Sequence, residues 1–380
     1  MTARRLTHDA DIEQFRGAVR EFLREHADTA AVFGEMREQR AGDPAVWNRF
    51  AGELGVVGLD VPESYGGADA GFRPVAVVAE ELGRSLVRLP WFTTAVLGVG
   101  VLLHAEGAQA EECRRRLLPA LAAGARTATL AWAETPGGLD APSLDASAVR
   151  DGDTWRLTGR KILVVEGATA DLLFVAARTE DGPALFVVDG DAPGVVRTAD
   201  RAMDPNRQLA TVIFDGAPAR LVSDPGTGER VLARVRDRAV TALACEQTGG
   251  AAASLDMAVE HVKNRVQFGR PIGMLQAIKH RCADMAVELE AARSASLWAT
   301  GAIAEDSPDV GIAAAAAALT CSRSYEYVAA ETIQVHGGIG FTWEHPAHLH
   351  FRRAATSAVL FGDRHTHQER LLSGLHVDAG

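Results

Sequence analysis

The chain has 380 residues, which is too long for one small core and predicts two or three packed regions. Its hydrophobic content of 47% supports a globular protein, and its formal net charge of −11 disfavours nucleic acid as the main partner. The 4 cysteines are widely spaced without a CxxC pair, which argues against a disulfide framework or a zinc knuckle. Reduced thiols and a cytoplasmic location are therefore expected.

The hydropathy of the sequence indicates neither a membrane protein nor an exported one. The N-terminal residues 1–9 lack the apolar region of a signal peptide. The most apolar stretch, residues 90–103, is shorter than the roughly 20 residues that span a bilayer. We therefore predict that this stretch is a buried helix.

The first third of the chain has helical periodicity. Ile12, Phe15 and Val19 recur at helix spacing, and further amphipathic runs cover residues 46–54, 75–86 and 111–121. Pro62, Gly66 and Gly67 interrupt the pattern within residues 55–67, as is typical of a turn between helices. These runs predict an antiparallel helical bundle.

The middle of the chain changes to short β-rich runs separated by Gly, Asp and Pro turns. These runs are Trp155–Leu157, Ile162–Val165, Leu172–Ala176, Leu185–Val188 and Thr211–Phe214. Helical periodicity then returns over residues 231–267, 274–303 and 310–335. The order α, β, α predicts an α+β protein with an N-terminal helical domain (1–126), a middle β domain (127–228) and a C-terminal four-helix-type bundle (229–380).

Two segments of the last third carry the chemistry of an anion site. Glycines in the QVHGGIGF segment, among them Gly337 and Gly338, leave backbone N–H groups uncovered for an anionic ligand. Arg265, in the upstream RVQFGRP segment, offers a guanidinium suited to phosphate oxygens. A GGxG run alone is more often an ordinary loop or helix cap, but the joint occurrence predicts a site for a pyrophosphate-bearing cofactor.

With Gln276 following, this arrangement resembles the C-terminal region of the acyl-CoA dehydrogenase family, whose members bind FAD between subunits. The α, β, α order is also that of the family's fold. The resemblance implies that two subunits supply the two segments to one flavin, in a homo- or hetero-oligomer (dimer or tetramer). The cofactor-binding residues that it implies are Arg265, Gln267, Phe268, Gln276, Gln334, Gly337 and Gly338.

Glu246 is the candidate catalytic residue. It lies in the sequence ACEQTGG on a helix face of small residues, where two glycines each cost about 1 kcal/mol relative to alanine. One interpretation is tight helix packing with Glu246 in a salt bridge. The other is a desolvated carboxylate whose proton affinity is raised, suited to removing a proton alpha to a thioester carbonyl.

The resemblance bears on this choice. Many family members carry the catalytic glutamate near the C-terminus, at the position that here matches Phe361, which cannot take a proton. Some members place the base on the helix that contains Glu246, and the Glu-Gln-x-Gly-Gly run is similar to actinobacterial enzymes of steroid side-chain or other bulky acyl-CoA oxidation. Glu246 is therefore the expected base, while the departure at Phe361 leaves open a non-catalytic partner chain.

The β domain departs further from the family. Family members often carry Thr-Glu-Pro where this chain has Ala133–Thr135. They also carry a Trp and a Thr that contact the flavin ring where this chain has Leu163 and Val165. Both hydroxyl-bearing positions are replaced, so a side-chain hydrogen bond to the flavin is expected to be absent or to come from a partner chain. Trp132 stacks on the ring or, as the more common alternative, packs in the core.

The resemblance implies a reaction and its partners. Glu246 would remove the α proton of an acyl-CoA while the β hydrogen passes as hydride to FAD, giving the trans-2-enoyl-CoA, with an electron-transfer flavoprotein as acceptor. Two alternatives remain open: a half-site subunit without chemistry of its own, and a flavin monooxygenase on the same fold. The histidines near the C-terminus belong to the family-like segment, so no metal site is expected.

Overall fold

The computed structural model describes residues 10–26, 42–135, 144–152 and 154–375. The helices are α1 (Ala10–His26), α2 (Pro44–Leu54), α3 (Phe72–Ser85), a π-helix (Phe92–Gly98) that continues as α4 (Val99–His104), α5 (Ala110–Ala122), α6 (Gly228–Asn264), α7 (Gln276–Ala304), α8 (Val310–His336), α9 (Ala347–Ser357) and α10 (Arg364–Gly374). The strands are β1 (Ala128–Ala131), β2 (Ser147–Asp151), β3 (Thr154–Val165), β4 (Leu172–Thr179), β5 (Gly182–Asp189), β6 (Val195–Asp200), β7 (Leu209–Ser223), β8 (Val266–Gln267) and β9 (Arg270–Pro271).

The chain divides into two compact units. The sheet unit comprises Gln39–Val75 and Arg88–Ala239, and the helical unit comprises Met1–Glu38, Ala76–Val87 and Val240–Gly380, each as far as the structure describes it. The three domain ranges expected from the sequence stay a prediction.

In the sheet unit, five strands form a closed ring. β3 pairs antiparallel with β2 and β7, β5 pairs antiparallel with β4 and β7, and β4 meets β2 in parallel. β1 adds to β4 in parallel, and β6 pairs with β7. The inward side chains, among them Leu157, Phe186 and Phe214, form a buried apolar core.

The helical unit is built on the long helices α6, α7 and α8. Where they meet, the buried side chains are small, as in the cluster of Ala244, Ala292, Ala313, Ala317 and Cys321. Small side chains let helix backbones approach closely, because little volume separates the axes. These helices are the C-terminal bundle that the sequence predicts.

The apolar stretch at residues 90–103 is buried and helical, as predicted, but its first part is a π-helix. A π-helix displaces backbone hydrogen bonds from the usual pattern. Arg238 donates to the carbonyl oxygens of Ala95 (2.8 Å) and Val96 (3.0 Å), and it forms an ion pair with Asp60. Within the described part of the chain, no helix is both long and apolar enough to cross a membrane.

Two details of the sequence prediction are wrong. The helix predicted to reach Gln267 ends at Asn264, because residues 266–267 pair with residues 270–271 in a hairpin. The two runs predicted at residues 155–157 and 162–165 are one strand, β3, with an irregularity between Lys161 and Val164. The strands β1, β2 and β6 have no counterpart in the prediction, since each is short.

Candidate active site

Glu246 lies where the backbones of α3 and α6 touch. A Cβ atom on Gly83 of α3 would collide with the backbone carbonyl oxygen of Glu246, and one on Gly249 of α6 would collide with that of Glu80. On another side of α6, a Cβ on Gly250 would collide with the ring of Tyr325. The glycines after Glu246 therefore admit neighbouring helices, which is the packing interpretation of the sequence.

The Glu246 carboxylate is paired with a cation that sequence reasoning missed. Nη1 of Arg353, on α9, donates to Oε1 of Glu246 over 3.0 Å, and each side chain is 7% exposed. The salt bridge expected under the packing interpretation is thus present. A signal existed in the sequence: Arg353 follows the buried residues Leu349 and His350 by four and three positions and so lies on the same helix face.

The neighbours of Glu246 hold α6 in place through polar contacts. Gln247 donates through Nε2 to the Ser322 hydroxyl of α8 over 2.9 Å. The Thr332 hydroxyl of α8 donates to the backbone carbonyl oxygen of Ser254 on α6 over 3.0 Å. Glu246 therefore projects from a helix that is fixed on several sides, which favours a constant side-chain direction.

The RVQFGRP segment forms an exposed hairpin after α6. Its two-residue turn, Phe268–Gly269, has φ of 54° and 73°, the left-handed region that a tight hairpin turn of this kind requires. A phenylalanine there is strained by roughly 1–2 kcal/mol, and its side chain is 87% exposed. An exposed aromatic ring held in an unfavourable backbone conformation is a feature of binding sites.

The GGIGF segment ends α8 in a glycine turn. Gly337 has φ 64° and ψ −146°, a conformation open essentially to glycine alone, and its N–H bonds to the carbonyl oxygens of Ile333 and Gln334. A Cβ on Gly338 would meet no atom of the chain within 4 Å. The absence of a side chain at Gly338 therefore leaves the backbone open to a ligand.

Three neighbouring histidine rings, tilted against one another, connect the two segments. The ring of His261 lies 4.1 Å from that of His336, which lies 4.3 Å from that of His345, between centroids. His261 is one turn before Arg265, whose N–H bonds to the His261 carbonyl over 2.8 Å, and His336 directly precedes Gly337. One chain thus presents both segments side by side, whereas the expected contribution of two subunits to one flavin stays a prediction.

Burial lowers the pKa values of these three histidines. The pKa of His345 falls to about 4 because burial and the neighbouring rings of His336 and His261 disfavour its charge. The pKa values of His261 and His336 are lowered by burial in the same way. Among the described residues, no group of histidine, cysteine or acidic side chains could hold a metal ion.

The residues of the two segments fit a flavin adenine dinucleotide. The side chains of Arg265, Gln267, Gln276 and Gln334 are exposed, as are Gly337 and Gly338. Together they supply a cation and amide donors for phosphate oxygens, next to uncovered backbone. The exposed ring of Phe268 adds an apolar surface.

Phe361 occupies the position at which the family resemblance expects a C-terminal glutamate. Its φ is 62°, in the left-handed region, and its side chain is buried. The Asp363 carboxylate follows as the N-cap of α10, where it accepts from the Thr366 N–H over 2.8 Å. No ionisable side chain at position 361 is available to take a proton.

In the sheet unit, Glu134 and Lys161 form a buried ion pair. Nζ of Lys161 donates to Oε1 of Glu134 over 2.6 Å, and the backbone N–H of Ala146 donates to the same oxygen over 3.0 Å. Burial lowers the pKa of Lys161 to about 8, against the opposing effect of Glu134. The pair fixes the segment in which Ala133 replaces the family's threonine.

The other two departures lie beside this pair on β3. Leu163 has φ 54° and is 41% exposed at the strand irregularity, whereas Val165 is buried and its carbonyl accepts from the Thr129 hydroxyl over 2.6 Å. Neither side chain donates a hydrogen bond. Trp132 is half-buried, and its carbonyl accepts from Lys161 over 3.2 Å.

Fold and residues together define a flavin-dependent acyl-CoA oxidoreductase, and comparison with known proteins agrees. The chain matches the models of the acyl-CoA dehydrogenase N-terminal domain over residues 9–125, the middle domain over 129–216 and the C-terminal domain over 228–375. The chain belongs to the acyl-CoA dehydrogenase family and is an FAD-dependent enzyme. The predicted family, fold class and cofactor are thereby confirmed.

Three relatives are informative. Acyl-CoA dehydrogenase IpdE2 of Mycolicibacterium smegmatis is 33% identical over 361 residues, covering 94% of this chain and 97% of the relative. The structure of a variant of the Tcur3481–Tcur3483 steroid ACAD has a TM-score of 0.84 and 32% identity, covering 96% of this chain and 98% of the other. The structure of the ChsE4–ChsE5 complex of Mycobacterium tuberculosis has a TM-score of 0.86 and 26% identity, and the match covers 99% of this chain and 100% of the other.

Proposed function

We propose that Glu246 removes the α proton of an acyl-CoA thioester, and that the product is the trans-2-enoyl-CoA. The observation that carries this proposal is the buried Glu246 carboxylate on α6, combined with a phenylalanine at position 361. FAD, when bound, accepts the β hydrogen as hydride, which completes the two-electron oxidation.

The surroundings of Glu246 suit a base. Burial excludes water, so the carboxylate keeps no hydration shell that a substrate would have to displace. The contact of Gly83 with the Glu246 backbone fixes the point from which the side chain projects. A fixed base needs little reorganisation to reach the substrate, and such positioning lowers the barrier.

Replacement of Glu246 by glutamine tests the proposal. Glu246→Gln keeps the size of the side chain but cannot accept a proton, so flavin reduction by acyl-CoA should slow by about 10² to 10⁴. Anaerobic stopped-flow absorbance measures the reduction, and the flavin spectrum reports that FAD is still bound. Glu260→Gln, an exposed glutamate on the same helix, is the matched control. Reduction at the wild-type rate in Glu246→Gln would remove Glu246 from the mechanism.

We also propose that the acyl group is bulky or ring-bearing. The proposal rests on the position of the base on α6 and on the similarity to the steroid ACAD structure over 96% of the chain. The test compares kcat/KM for a steroid side-chain CoA ester, a branched short-chain CoA and octanoyl-CoA. A tenfold preference for octanoyl-CoA, about 1.4 kcal/mol of transition-state binding, contradicts the bulky substrate and leaves the dehydrogenase assignment intact.

The proposed partners are an electron-transfer flavoprotein as electron acceptor and further subunits in a homo- or hetero-oligomer. A heteromeric half-site subunit is the second candidate, favoured by Phe361 and by the lost hydroxyls at Ala133 and Val165. Purification of the chain alone separates the two. FAD retention with turnover of acyl-CoA supports the complete enzyme, whereas both properties appearing only on coexpression with a second dehydrogenase-like chain support the half-site.

A further inference from the structure

We propose that Arg353 is a positioning residue that keeps the Glu246 carboxylate ionised and oriented before substrate binds. The inference rests on the proposed role of Glu246 as the base. Its basis is the 3.0 Å ion pair between Nη1 of Arg353 and Oε1 of Glu246, with both side chains buried. Breaking a buried ion pair by removing one charge leaves the other uncompensated, so each residue constrains the state of its partner.

Several charged groups on the surrounding elements form ion pairs of their own. On α3, Glu80 pairs with Arg16 at 2.7 Å, and Arg84 pairs with Asp256 at 2.6 Å. On α8, Arg323 pairs with Glu288 of α7 at 2.6 Å, and the Tyr325 hydroxyl lies within hydrogen-bond distance of His350 of α9. Arg353 is a buried cation that the fold directs at Glu246.

The Arg353–Glu246 ion pair has opposite effects on Glu246 before the proton transfer and during it. A neighbouring cation favours the ionised carboxylate, which is the form that can accept a proton. In the transfer, the substrate Cα–H bond breaks, an O–H bond forms on Glu246, and the Cα–H electron pair forms the Cα=Cβ bond as the β hydrogen leaves as hydride, for which bound FAD would be the acceptor. The carboxylate is then neutral and no longer balances the charge of Arg353, so the cation favours the base before the transfer and opposes its protonation during it.

The pH dependence of kcat/KM distinguishes this role from packing. Arg353→Met removes the charge while keeping an unbranched apolar stem, and Arg353→Lys keeps the charge. The acidic limb of the profile should move to higher pH by about 1 to 3 units in Arg353→Met and stay near the wild type in Arg353→Lys, the range by which an adjacent opposite charge acts. A residue that only fills space would lower activity at every pH without moving the limb. An unmoved limb in Arg353→Met therefore overturns the inference.

Glu246→Gln separates this inference from the proposed function. If that variant reduces its flavin normally, Glu246 is not the base and both ideas fall. If it is inactive and the limb of Arg353→Met does not move, only the role of Arg353 fails.

A measurement on the wild-type enzyme covers the case in which Arg353→Met does not fold. Infrared difference spectra between the wild type and Glu246→Gln isolate the bands of the Glu246 carboxyl group. The inference expects the bands of an ionised carboxylate from Glu246 at neutral pH. A protonated carboxyl band at neutral pH that Glu246→Gln lacks would overturn it.

Discussion

The imidazole rings of His261 and His336 lie 4.1 Å apart between centroids, which joins the end of α6 to the end of α8. The RVQFGRP hairpin follows the first histidine and the glycine turn follows the second. Two segments about seventy residues apart in sequence thus become one surface.

Gly249, which packs against a neighbouring helix, and Gly338, which has no neighbour within 4 Å of an added Cβ, should respond differently to replacement by alanine. Gly249→Ala places a Cβ against the Glu80 backbone, so unfolding free energy should fall by about 3 kcal/mol, at the upper end of overpacking costs. Gly338→Ala meets no atom of the chain, so stability should stay within about 1 kcal/mol. Urea unfolding of the two variants provides the measurement.

Among folded molecules, FAD retention should be lower in Gly338→Ala than in Gly249→Ala. In Gly338→Ala the added methyl group covers backbone that we propose the cofactor approaches, so the variant should lose FAD on gel filtration while remaining folded. Full FAD retention by Gly338→Ala would contradict the assignment of Gly338 to the cofactor site.

Arg265 should contribute to FAD retention through its charge. Arg265→Ala removes charge-assisted bonds to phosphate worth about 1.5–3 kcal/mol, so the dissociation constant of FAD should rise by about tenfold or more. Lys263→Ala, which removes an exposed cation from the end of the same helix, is the control.

Sedimentation with flavin absorbance should also show FAD release when the oligomer dissociates, and a fully loaded monomer would contradict a site shared between subunits.

The Glu134–Lys161 pair should dominate the stability of the sheet unit. Lys161→Met leaves the Glu134 carboxylate buried without its cation, so the free energy of unfolding should fall by about 3–5 kcal/mol. Combining it with Glu134→Gln removes the stranded charge and should restore part of the loss. If the double variant is less stable than Lys161→Met, the loss does not come from an uncompensated carboxylate.

The histidine cluster should make the helical unit sensitive to acid. Because the folded-state pKa of His345 is about 4, below its ordinary 6.5, the unfolded chain binds the proton more readily. Stability is therefore fully present above about pH 6.5 and falls as the pH drops towards 4. Nearby, Arg265 opposes protonation of His261, and Arg352 opposes protonation of His348.

His345→Asn tests this dependence. Asparagine cannot take the proton but retains an acceptor for the Ala347 N–H, which bonds to Nδ1 of His345 over 3.2 Å. The loss of melting temperature between pH 7 and about 4 should be smaller in this variant than in the wild type. His365→Asn, at an exposed histidine, should follow the wild type. Equal acid sensitivity in all three proteins would exclude His345 as the source.

The sequence alone determined the order of elements and the cofactor chemistry. Periodicity is a local property, so the long helices α7 and α8 were predicted to within two residues at each end. The residue types around Arg265 and Gly337 carry their chemistry wherever the chain places them, and the family resemblance therefore identified FAD.

Only the tertiary structure decided which groups meet. The partner of Glu246 is Arg353, 107 residues away, and no local pattern specifies such a pairing. The sequence is compatible with two roles for Gly249 and Gly250, as open space for a ligand or as contacts between helices. Only the positions of Glu80 and Tyr325 show that they are helix contacts. Long-range packing sets these distances, because the side chains that fill the space come from helices far apart in sequence.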